Sequence, residues 1–398
     1  QDVRQVVDHL SHRAGEVQWW FSTSGAYSVN ATLKSLYFDA FLCLYKADGS
    51  QLTCDSDSGG SGNSWINGYG LSEPGDYYLA VRSESEDGNA GGYDLTLGSL
   101  TNTDYFYTTG IWLDNSYSTT NAAITISPSA RGYGLKANDN TSNGVNIYSN
   151  GQVSITKGWA NDNQYTGLSI SNTSSGIEAG ITLNTMYAEG NIESGSARGM
   201  RLISKGPINI TSSFANRNRM GGLEVNTSAS TKYAGVTVNG LTSQDNQGSW
   251  PGLSIETTGV VNLTNIVSTG NGVGSSGSGI ELDNCQESSG VCAKNANITL
   301  GGNLNQINGN TGYGLAIYSG GQITLNNFTI NKNSQEGLYI YNEYSNSIGV
   351  TIKRTVTGVN EIMGNGYNGL RIYADSVVWV EKLKAVDNAY TNIMIDNQ

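Results

Sequence analysis

Apolar and polar residues alternate along most of this chain in a short pattern that returns many times. In each copy a glycine, or once an asparagine, precedes two apolar residues that are separated by one other residue, as in Gly167-Leu168-Ser169-Ile170. The copies begin at Gly110, Gly144, Gly167, Gly199, Gly222, Gly252, Gly279, Gly314, Gly337, Gly369 and Asn392. Four intervals are 23 residues long (144 to 167, 199 to 222, 314 to 337 and 369 to 392), and the others are longer. An internal repeat of this length predicts a solenoid with loop insertions.

Each repeat contains two further apolar positions. A second alternating pair occurs at Ile124/Ile126, Val153/Ile155, Ile181/Leu183, Ile208/Ile210, Val236/Val238, Val261/Leu263, Ile298/Leu300, Ile323/Leu325, Val350/Ile352 and Val378/Val380. A single apolar residue lies seven positions before the glycine, at Ala137, Ala160, Ile192, Ala215, Ile307, Ile330, Ile362 and Ala385. Alternation predicts strands that bury one face. Three short strands per repeat, stacked on those of the next repeat, predict a parallel β-helix with coils about 4.8 Å apart.

Asparagine recurs four residues before the glycine, at Asn140, Asn163, Asn218, Asn310, Asn333, Asn365 and Asn388. Asparagine tolerates the left-handed backbone region that a tight corner needs. Stacked asparagine side chains can also form hydrogen bonds along the axis of a solenoid. We therefore expect these residues to have a structural role.

The first hundred residues lack the repeat. Residues 39–54 predict two strands around an Asp-Gly turn, and Tyr77–Val81 and residues 92–97 predict further short strands. Short strands at this spacing are typical of a β-sandwich. We expect an all-β chain with a sandwich domain over residues 1–102 and a β-helix domain over residues 103–398.

Two resemblances refine this expectation. The N-terminal segment resembles the bacterial pre-peptidase C-terminal (PPC) domain family through residues 41–45, Asp48-Gly49, residues 55–57, residues 74–78 and residues 92–95. It implies a jelly-roll-like accessory module of secreted bacterial proteins, without catalysis of its own. The repeats resemble the right-handed parallel β-helix (PbH1) family, which includes pectin-degrading enzymes, phage tailspikes and surface adhesins. It implies a right-handed helix of about ten coils and leaves function open, because one fold hosts many activities.

Composition and cysteine spacing restrict the setting. The formal net charge is −12, which argues against nucleic acid as a partner, and no apolar run is long enough for membrane insertion. Cys43 and Cys54 face each other if Asp48-Gly49 forms the hairpin loop, and Cys285 and Cys292 lie within one insertion. Two local disulfides predict an oxidising compartment, hence a secreted or cell-surface bacterial protein. Free buried thiols are the alternative.

Candidate catalytic residues are few. The only histidines, His9 and His12, precede the repeats, which excludes a Ser-His-Asp triad or a histidine zinc site within the β-helix. Outward positions of the first strand hold Glu256 and Asp283, which we expect one coil apart. A spacing near 5 Å is that of the carboxyl pair in retaining glycosidases. Further candidates on this face are Glu224, Glu281 and Arg201. The alternatives are a carboxylate calcium site and an ordinary solvated face.

The outward face also holds aromatic residues. Tyr318, Tyr341 and Tyr373 are expected to form one column, with Tyr339 beside it. Stacked aromatic rings can bind sugar rings, so these four tyrosines are candidate ligand-binding residues. The alternative is a tyrosine ladder that only favours strand formation.

A calcium site is the one cofactor that the sequence suggests. Asp55-Ser56-Asp57 resembles the beginning of a calcium loop with oxygen ligands. The PPC resemblance places Asp39 and Asp76 near it. An ordinary polar loop is the alternative.

Asn-x-Ser/Thr motifs are frequent enough in this composition to arise by chance. They occur at Asn30, Asn140, Asn172, Asn209, Asn226, Asn262, Asn297 and Asn327, and each is a possible glycan site.

The last repeat begins another coil at Asn392, Ile393 and Ile395 without a polar cap. An uncapped coil offers unpaired backbone groups to another chain. We expect copies of the chain to dock head to tail here, or the chain to continue further. Surface polysaccharide is the other expected partner. The sequence thus favours an extracellular structural or adhesive protein, with a polysaccharide-binding or polysaccharide-degrading protein as the alternative.

Overall fold

Every regular element in the described part of the chain is a β-strand. The computed structural model describes residues 4–7, 17–23, 27–35, 39–83, 93–97, 110–116, 121–128, 134–140, 142–173, 178–192, 195–285, 287–288, 291–292 and 294–397. Its contacts divide the chain into two compact units, residues 1–179 and 180–398. In the part of the chain that the structure describes, no helix is long and apolar enough to cross a membrane.

The first unit begins with a β-sandwich. Its strands are β1 (Arg4–Val7), β2 (Val17–Thr23), β3 (Tyr27–Ser35), β4 (Ala40–Lys46), β5 (Gln51–Asp55), β6 (Ser64–Leu71), β7 (Gly75–Ser83) and β8 (Tyr93–Leu97). One antiparallel sheet has the order β1-β2-β7-β4-β5, and β3 pairs with β6 and β8 in the other. Alternate residues such as Leu42, Leu44 and Leu79 are fully buried, as the period of two requires. The predicted sandwich is confirmed.

Strand pairing within the first unit continues from the sandwich into the first coils. The coil strands are β9 (Ile111–Asp114), β10 (Ile124–Ile126), β11 (Leu135–Lys136), β12 (Val145–Tyr148), β13 (Val153–Trp159) and β14 (Leu168–Asn172). Thr96 of β8 pairs in parallel with Trp112 of β9, and β9, β12 and β14 then pair in parallel. An edge of the sandwich therefore covers the unpaired backbone of the first coil. The boundary at residues 102 and 103 lies outside the described residues and stays a prediction.

The second unit consists of parallel coils. Its strands are β15 (Ile181–Tyr187), β16 (Met200–Ser204), β17 (Ile208–Phe214), β18 (Leu223–Asn226), β19 (Val236–Gln244), β20 (Leu253–Glu256), β21 (Val261–Thr264), β22 (Val267–Thr269), β23 (Ile280–Asp283), β24 (Glu287–Ser288), β25 (Val291–Cys292), β26 (Ile298–Gly301), β27 (Asn305–Asn308), β28 (Leu315–Tyr318), β29 (Gln322–Asn326), β30 (Phe328–Asn331), β31 (Leu338–Asn342), β32 (Gly349–Lys353), β33 (Asn360–Met363), β34 (Leu370–Ala374), β35 (Val378–Val380), β36 (Leu383–Val386) and β37 (Ile393–Asn397). Among the described strands of this unit, only β24 and β25 pair antiparallel. The described residues confirm the predicted parallel β-helix.

Two parallel sheets run along the second unit. The first-strand sheet has the order β16-β18-β20-β23-β28-β31-β34-β37, and the other sheet contains the second and third strands of each coil. The inward residues of the repeat stack in register, for example Leu223 on Leu253, Leu253 on Ile280 and Ile280 on Leu315. All are almost completely buried. Burial of this continuous apolar column stabilises the coils at about 25 cal/mol per Å² of apolar surface.

The second and third strands are not always separate, which differs from the prediction of three short strands per coil. In β15, β17 and β19 they form one strand that bends at Thr185, Ser212 and Gly240, all with positive φ. In later coils the bend becomes a break, for example between β21 and β22 at Asn265. A residue in the left-handed region turns the chain sharply enough to keep both segments around one core.

The asparagine ladder consists of Asn140 and Asn163 in the first unit and of Asn191, Asn218, Asn246, Asn271, Asn310, Asn333, Asn365 and Asn388 in the second. Within the second unit, each member from Asn191 to Asn365 donates its backbone N–H and its Nδ2 to Oδ1 of the next member at 2.8–3.3 Å. The predicted hydrogen bonding along the axis is confirmed. Asn191, Asn246 and Asn271 belong to the ladder although loop insertions shift their distance from the next glycine.

The left-handed residue at this corner is the one before the ladder asparagine, so the expectation that the asparagine itself is left-handed is wrong. At these corners φ lies between +54° and +67° for the residue before each ladder asparagine, namely Asp139, Asp162, Gly190, Arg217, Asp245, Gly270, Gly309, Lys332, Gly364 and Asp387. The asparagine supplies hydrogen bonds and its neighbour supplies the turn.

One apolar position is also assigned differently. Ile192 is 49% exposed, whereas Ala188 is fully buried three residues before Asn191. Asn191 lies eight residues before Gly199, whereas the corresponding spacing in the 23-residue coils is four. Counting seven residues back from Gly199 therefore selects Ile192 in place of Ala188. In two other coils the position is a buried serine: Ser243 Oγ donates to the Gly252 carbonyl and Ser268 Oγ to the Gly279 carbonyl, both at 2.7 Å.

Candidate functional site

The outward face of the first-strand sheet in the second unit brings most of the predicted candidates together. Register pairs form one column from Asn226 through Glu256, Asp283, Tyr318 and Tyr341 to Tyr373. The neighbouring column contains Arg201, Glu224, Ser254, Glu281, Ala316, Tyr339 and Arg371. Alternation along each strand points both columns away from the core.

Five tyrosines form a connected surface, the tyrosine face, which consists of Tyr313, Tyr318, Tyr339, Tyr341 and Tyr373. The Tyr339 ring lies at its centre, with centroids 5.5 Å from Tyr313, 5.8 Å from Tyr318 and 6.2 Å from Tyr373. Tyr341 and Tyr373 are also 6.2 Å apart. All five are partly exposed. At these distances the rings attract one another in addition to the stabilisation that comes from burying their apolar surface. Part of each tyrosine side chain stays accessible to a ligand.

Burial changes the acidity of these phenols. It raises the pKa of Tyr318 to about 12, with smaller contributions from Tyr339, Tyr313, Glu281 and Asp283. Burial also raises the pKa of Tyr313 and Tyr339, and at Tyr339 the charge of Arg371 opposes the increase. Tyr313, Tyr318 and Tyr339 are therefore neutral near pH 7 and present hydroxyl groups that can donate and accept hydrogen bonds.

A buried carboxylate lies beside the tyrosine face. Glu336 is 5% exposed, and its Oε1 accepts a hydrogen bond from Arg371 Nη1 at 3.2 Å. Arg371 also donates to the Tyr373 hydroxyl, which raises the pKa of the guanidinium. Its Cζ lies 4.9 Å from the centroid of the Tyr373 ring. Arg371 is therefore fixed between Glu336 and Tyr373.

The predicted catalytic pair lies next to the tyrosine face. Glu256 and Asp283 pair in register on adjacent coils, and both are exposed. Glu256 Oε2 accepts from Asn226 Nδ2 at 2.8 Å, and Asp283 Oδ1 accepts from the Cys285 N–H at 2.9 Å. Glu281 Oε1 accepts from Ser278 Oγ at 2.8 Å. Within the described ranges these three carboxylates form no ion pair with a lysine or an arginine.

Glu224 and Arg201 belong to a separate cluster. Glu224 Oε2 lies 2.9 Å from Arg198 Nε and 3.3 Å from Arg201 Nε. Arg198 lies over the Trp250 ring at 4.1 Å, and burial lowers its pKa while Glu224 raises it. These contacts hold Glu224 in a structural ion pair and leave no free carboxylate for catalysis there.

A disulfide-bonded insertion flanks the tyrosine face. Cys285 and Cys292 are bonded and enclose β24 and β25. Tyr344, from the insertion between β31 and β32, packs on both cysteines, and Tyr341 packs against this cluster. Two insertions on different coils thus support one edge of the tyrosine face. The other predicted disulfide, Cys43–Cys54, is also formed.

The four aspartates of the predicted calcium site are not brought together. Asp55 Oδ2 accepts from the N–H groups of Ser58 and Trp65 at 3.1 and 2.6 Å, so it closes the local loop. Asp39, Asp57 and Asp76 are exposed. Among the described residues, no group of three or more Asp, Glu, His or Cys side chains could hold a metal ion. His9 and His12 lie outside the described residues.

The Asn-x-Ser/Thr motifs differ in accessibility. Asn172 and Asn327 are at most 2% exposed, so neither side chain has space for a sugar in the folded chain. Asn140 donates Nδ2 to Asn163 as part of the ladder. Asn209, Asn262 and Asn297 are exposed, and Asn30 and Asn226 are partly exposed.

The last described coil leaves its inward-type residues exposed. Ile393 and Ile395 are 45% and 43% exposed although they continue the buried column of the preceding coils. Asn392 Oδ1 accepts from Asn388 N and Nδ2 and so extends the hydrogen bonding of the ladder. The predicted assembly through Asn392, Ile393 and Ile395 stays a prediction.

Sequence reasoning missed three residues of the site: Tyr313, Glu336 and Tyr344. Tyr313 and Glu336 each directly precede the glycine of a coil, so aligning that position as a further outward column would have found them. Tyr344 lies in an insertion of irregular length, and no repeat position signals its packing on the disulfide.

Comparison with known proteins gives little further information. No protein-family model and no curated protein matches the chain. Among solved structures, the chain is similar to the catalytic domain of a GH87 α-1,3-glucanase in complex with tetrasaccharides (11% identity, 96% of this chain and 88% of that chain, TM-score 0.19). A complex of such a domain with nigerose covers 96% and 90% at 11% identity and a TM-score of 0.18. Scores this low carry no argument about fold or function.

Proposed function

We propose that this chain is an extracellular adhesive protein that binds polysaccharide through the tyrosine face. The observation that carries the proposal is the group of five partly exposed tyrosines on adjacent coils, with ring centroids 5.5–6.2 Å apart. Aromatic rings offer flat apolar surfaces to the C–H faces of sugars, and the phenol hydroxyls and nearby carboxylates offer hydrogen-bond partners to sugar hydroxyls. The two disulfides support an oxidising, extracellular setting.

The geometry favours binding over catalysis. Glycoside hydrolysis needs one carboxyl group in a desolvated environment that keeps it protonated as the acid. Glu256 and Asp283 are both exposed, and each already accepts a hydrogen bond from a neighbouring N–H group. The tyrosines, in contrast, are rigidly supported by Arg371 and by the disulfide-bonded insertion. Pre-organised aromatic anchors are typical of recognition surfaces.

The test is binding of the purified chain to a panel of soluble and insoluble polysaccharides, measured by calorimetry and by pull-down. We expect Tyr341→Ala and Tyr373→Ala each to weaken binding at least about fivefold, since loss of an aromatic anchor costs about 1 kcal/mol or more. Tyr187→Ala is the matched control. This tyrosine stacks on Phe214 on the other sheet of the same unit, so its loss leaves binding unchanged.

Product analysis in the same experiment separates binding from turnover. We expect no release of shorter saccharides from any polymer that binds. Hydrolysis abolished by Glu256→Gln or Asp283→Asn would replace the proposal with a glycosidase. Equal loss of binding in Tyr187→Ala and Tyr341→Ala would attribute the effect to stability and refute the tyrosine face as the site.

A further inference from the structure

We infer that the tyrosine face selects neutral glycans and rejects glycans that contain carboxylates or sulfates, an inference that rests on the proposed polysaccharide binding. Three exposed or partly exposed carboxylates, Glu256, Glu281 and Asp283, lie at one end of the tyrosine face. Glu281 and Asp283 are close enough to Tyr318 to contribute to the rise of its pKa. A sugar stacked on Tyr318 would therefore lie beside both carboxylates.

The cation beside the tyrosine face does not offset these charges. Arg371 is paired with the buried Glu336, and its guanidinium lies against the Tyr373 ring. The four carboxylates Glu256, Glu281, Asp283 and Glu336 and the one guanidinium together have a net charge of −3 at full ionisation. An anionic sugar would meet uncompensated negative charge and would have to separate Arg371 from Glu336 to gain an ion pair. Removing a partner from a buried carboxylate is unfavourable.

The same carboxylates suit a neutral sugar. Glu256, Glu281 and Asp283 each accept one local hydrogen bond, and an ionised carboxyl group has about four acceptor positions. Hydroxyl groups of a stacked sugar can donate to the remaining positions, and hydrogen bonds to an ionised acceptor are the stronger kind. The sugar ring then stacks on a tyrosine while the sugar hydroxyls donate hydrogen bonds to the carboxylates. A neutral sugar makes both contacts without bringing a negative charge close to these carboxylates.

The experiment compares one polymer in two charge states. A neutral polysaccharide that the wild-type chain binds is oxidised at its primary hydroxyls to the uronate, and binding of both forms is measured by calorimetry. We expect the uronate form to bind at least about tenfold more weakly at low salt, as repulsion at an effective dielectric constant of about 20–80 implies. The difference should shrink at high salt, because exposed charges are screened.

Two variants identify the groups responsible. In Glu281→Gln combined with Asp283→Asn we expect the preference for the neutral form to fall at least about threefold. In Glu336→Gln, which releases Arg371 from its ion pair, we expect binding of the uronate form to rise. Glu361→Gln is the matched control: this carboxylate is on β33, in the other sheet of the unit, and we expect its loss to leave the preference unchanged.

The outcomes separate the two proposals. If the wild-type chain binds neither form of any polymer tested, the proposed function is wrong, and the inferred selectivity is refuted together with it. If it binds both forms equally, or the uronate form better, the proposed function stands and the inference is refuted. A preference for the neutral form that does not depend on salt also refutes the inference. The salt dependence needs no variant, so it tests the inference even if a substituted chain fails to fold.

Discussion

Removing one member of the asparagine ladder tests whether these hydrogen bonds stabilise the fold. Asn310 is fully buried, and its Oδ1 accepts from Asn271 N at 2.9 Å and from Asn271 Nδ2 at 3.0 Å. Its Nδ2 donates to the Ser268 carbonyl and to Asn333 Oδ1. Asn310→Ala leaves the buried Asn271 N–H without its acceptor and removes both donations.

The magnitude follows from these contacts. An orphaned buried N–H costs about 1–3 kcal/mol, and each lost hydrogen bond costs about 0.5–1.5 kcal/mol. Asn271 Nδ2 keeps two other acceptors, the Ser243 carbonyl and Ser268 Oγ, so the loss of its bond to Asn310 adds little to the destabilisation. We expect Asn310→Ala to lower the free energy of unfolding by about 3–5 kcal/mol, a large part of the roughly 5–15 kcal/mol of a typical domain.

Urea unfolding followed by circular dichroism measures the loss, and hydrogen exchange at the Asn271 amide locates it. Asn303→Ala is the matched control, because that asparagine is exposed, and we expect a change below about 0.5 kcal/mol. In Asn310→Asp, burial raises the pKa of the new carboxyl group above its unfolded value. The stability of this variant should therefore be higher at low pH and fall as the pH rises and the carboxyl ionises. A loss in Asn310→Ala within 1 kcal/mol of the control would refute the reasoning.

Three further predictions concern the corners, the insertion and the tyrosine face. Gly309 has φ +66° and open space around it, so Gly309→Ala should lower the free energy of unfolding by about 1 kcal/mol through backbone strain alone. Lys332 occupies the same left-handed corner, so Lys332→Gly should raise the free energy of unfolding by about 0.5–1 kcal/mol. Urea unfolding measures both changes. Replacing Cys285 and Cys292 with serine should lower the free energy of unfolding by about 2–3 kcal/mol and weaken polysaccharide binding. Because the pKa of Tyr318 is raised to about 12 in the folded chain, the stability that it contributes is present below pH 10 and is lost as the pH rises through 12. Absorbance titration should show one fewer late-ionising phenol in Tyr318→Phe than in the wild-type chain.

The fold was predictable because its signal is repeated. The alternating residues after Gly222, Gly252 and Gly314 each predict the same buried column. A wrong strand assignment in one copy would therefore disagree with the other copies. The prediction failed where a coil deviates from the repeat, as at Ile192, because an insertion shifts the count from the glycine. It also failed for the left-handed corner, which Arg217 and Lys332 occupy against their intrinsic preference.

The candidate site was predictable only in part. The columns of Glu256, Asp283, Tyr318 and Tyr341 follow from the spacing of the repeat, and the register places them so. The burial of Glu336 and its pairing with Arg371 depend on side chains from different columns that meet above the sheet. Periodicity defines the direction of each side chain, but it does not define which long side chains reach each other.

The insertions after the first strands show how this scaffold can acquire new specificities. Backbone hydrogen bonds of the coils run to the coils above and below, so the segment from Cys285 to Cys292 lengthens one coil without changing the register of its neighbours, Leu253 on Ile280 and Ile280 on Leu315. The insertions beside the tyrosine face can therefore change in length while the strands that stack the coils stay the same. Descendants of such a protein could diversify their ligands through these insertions and inherit the scaffold unchanged.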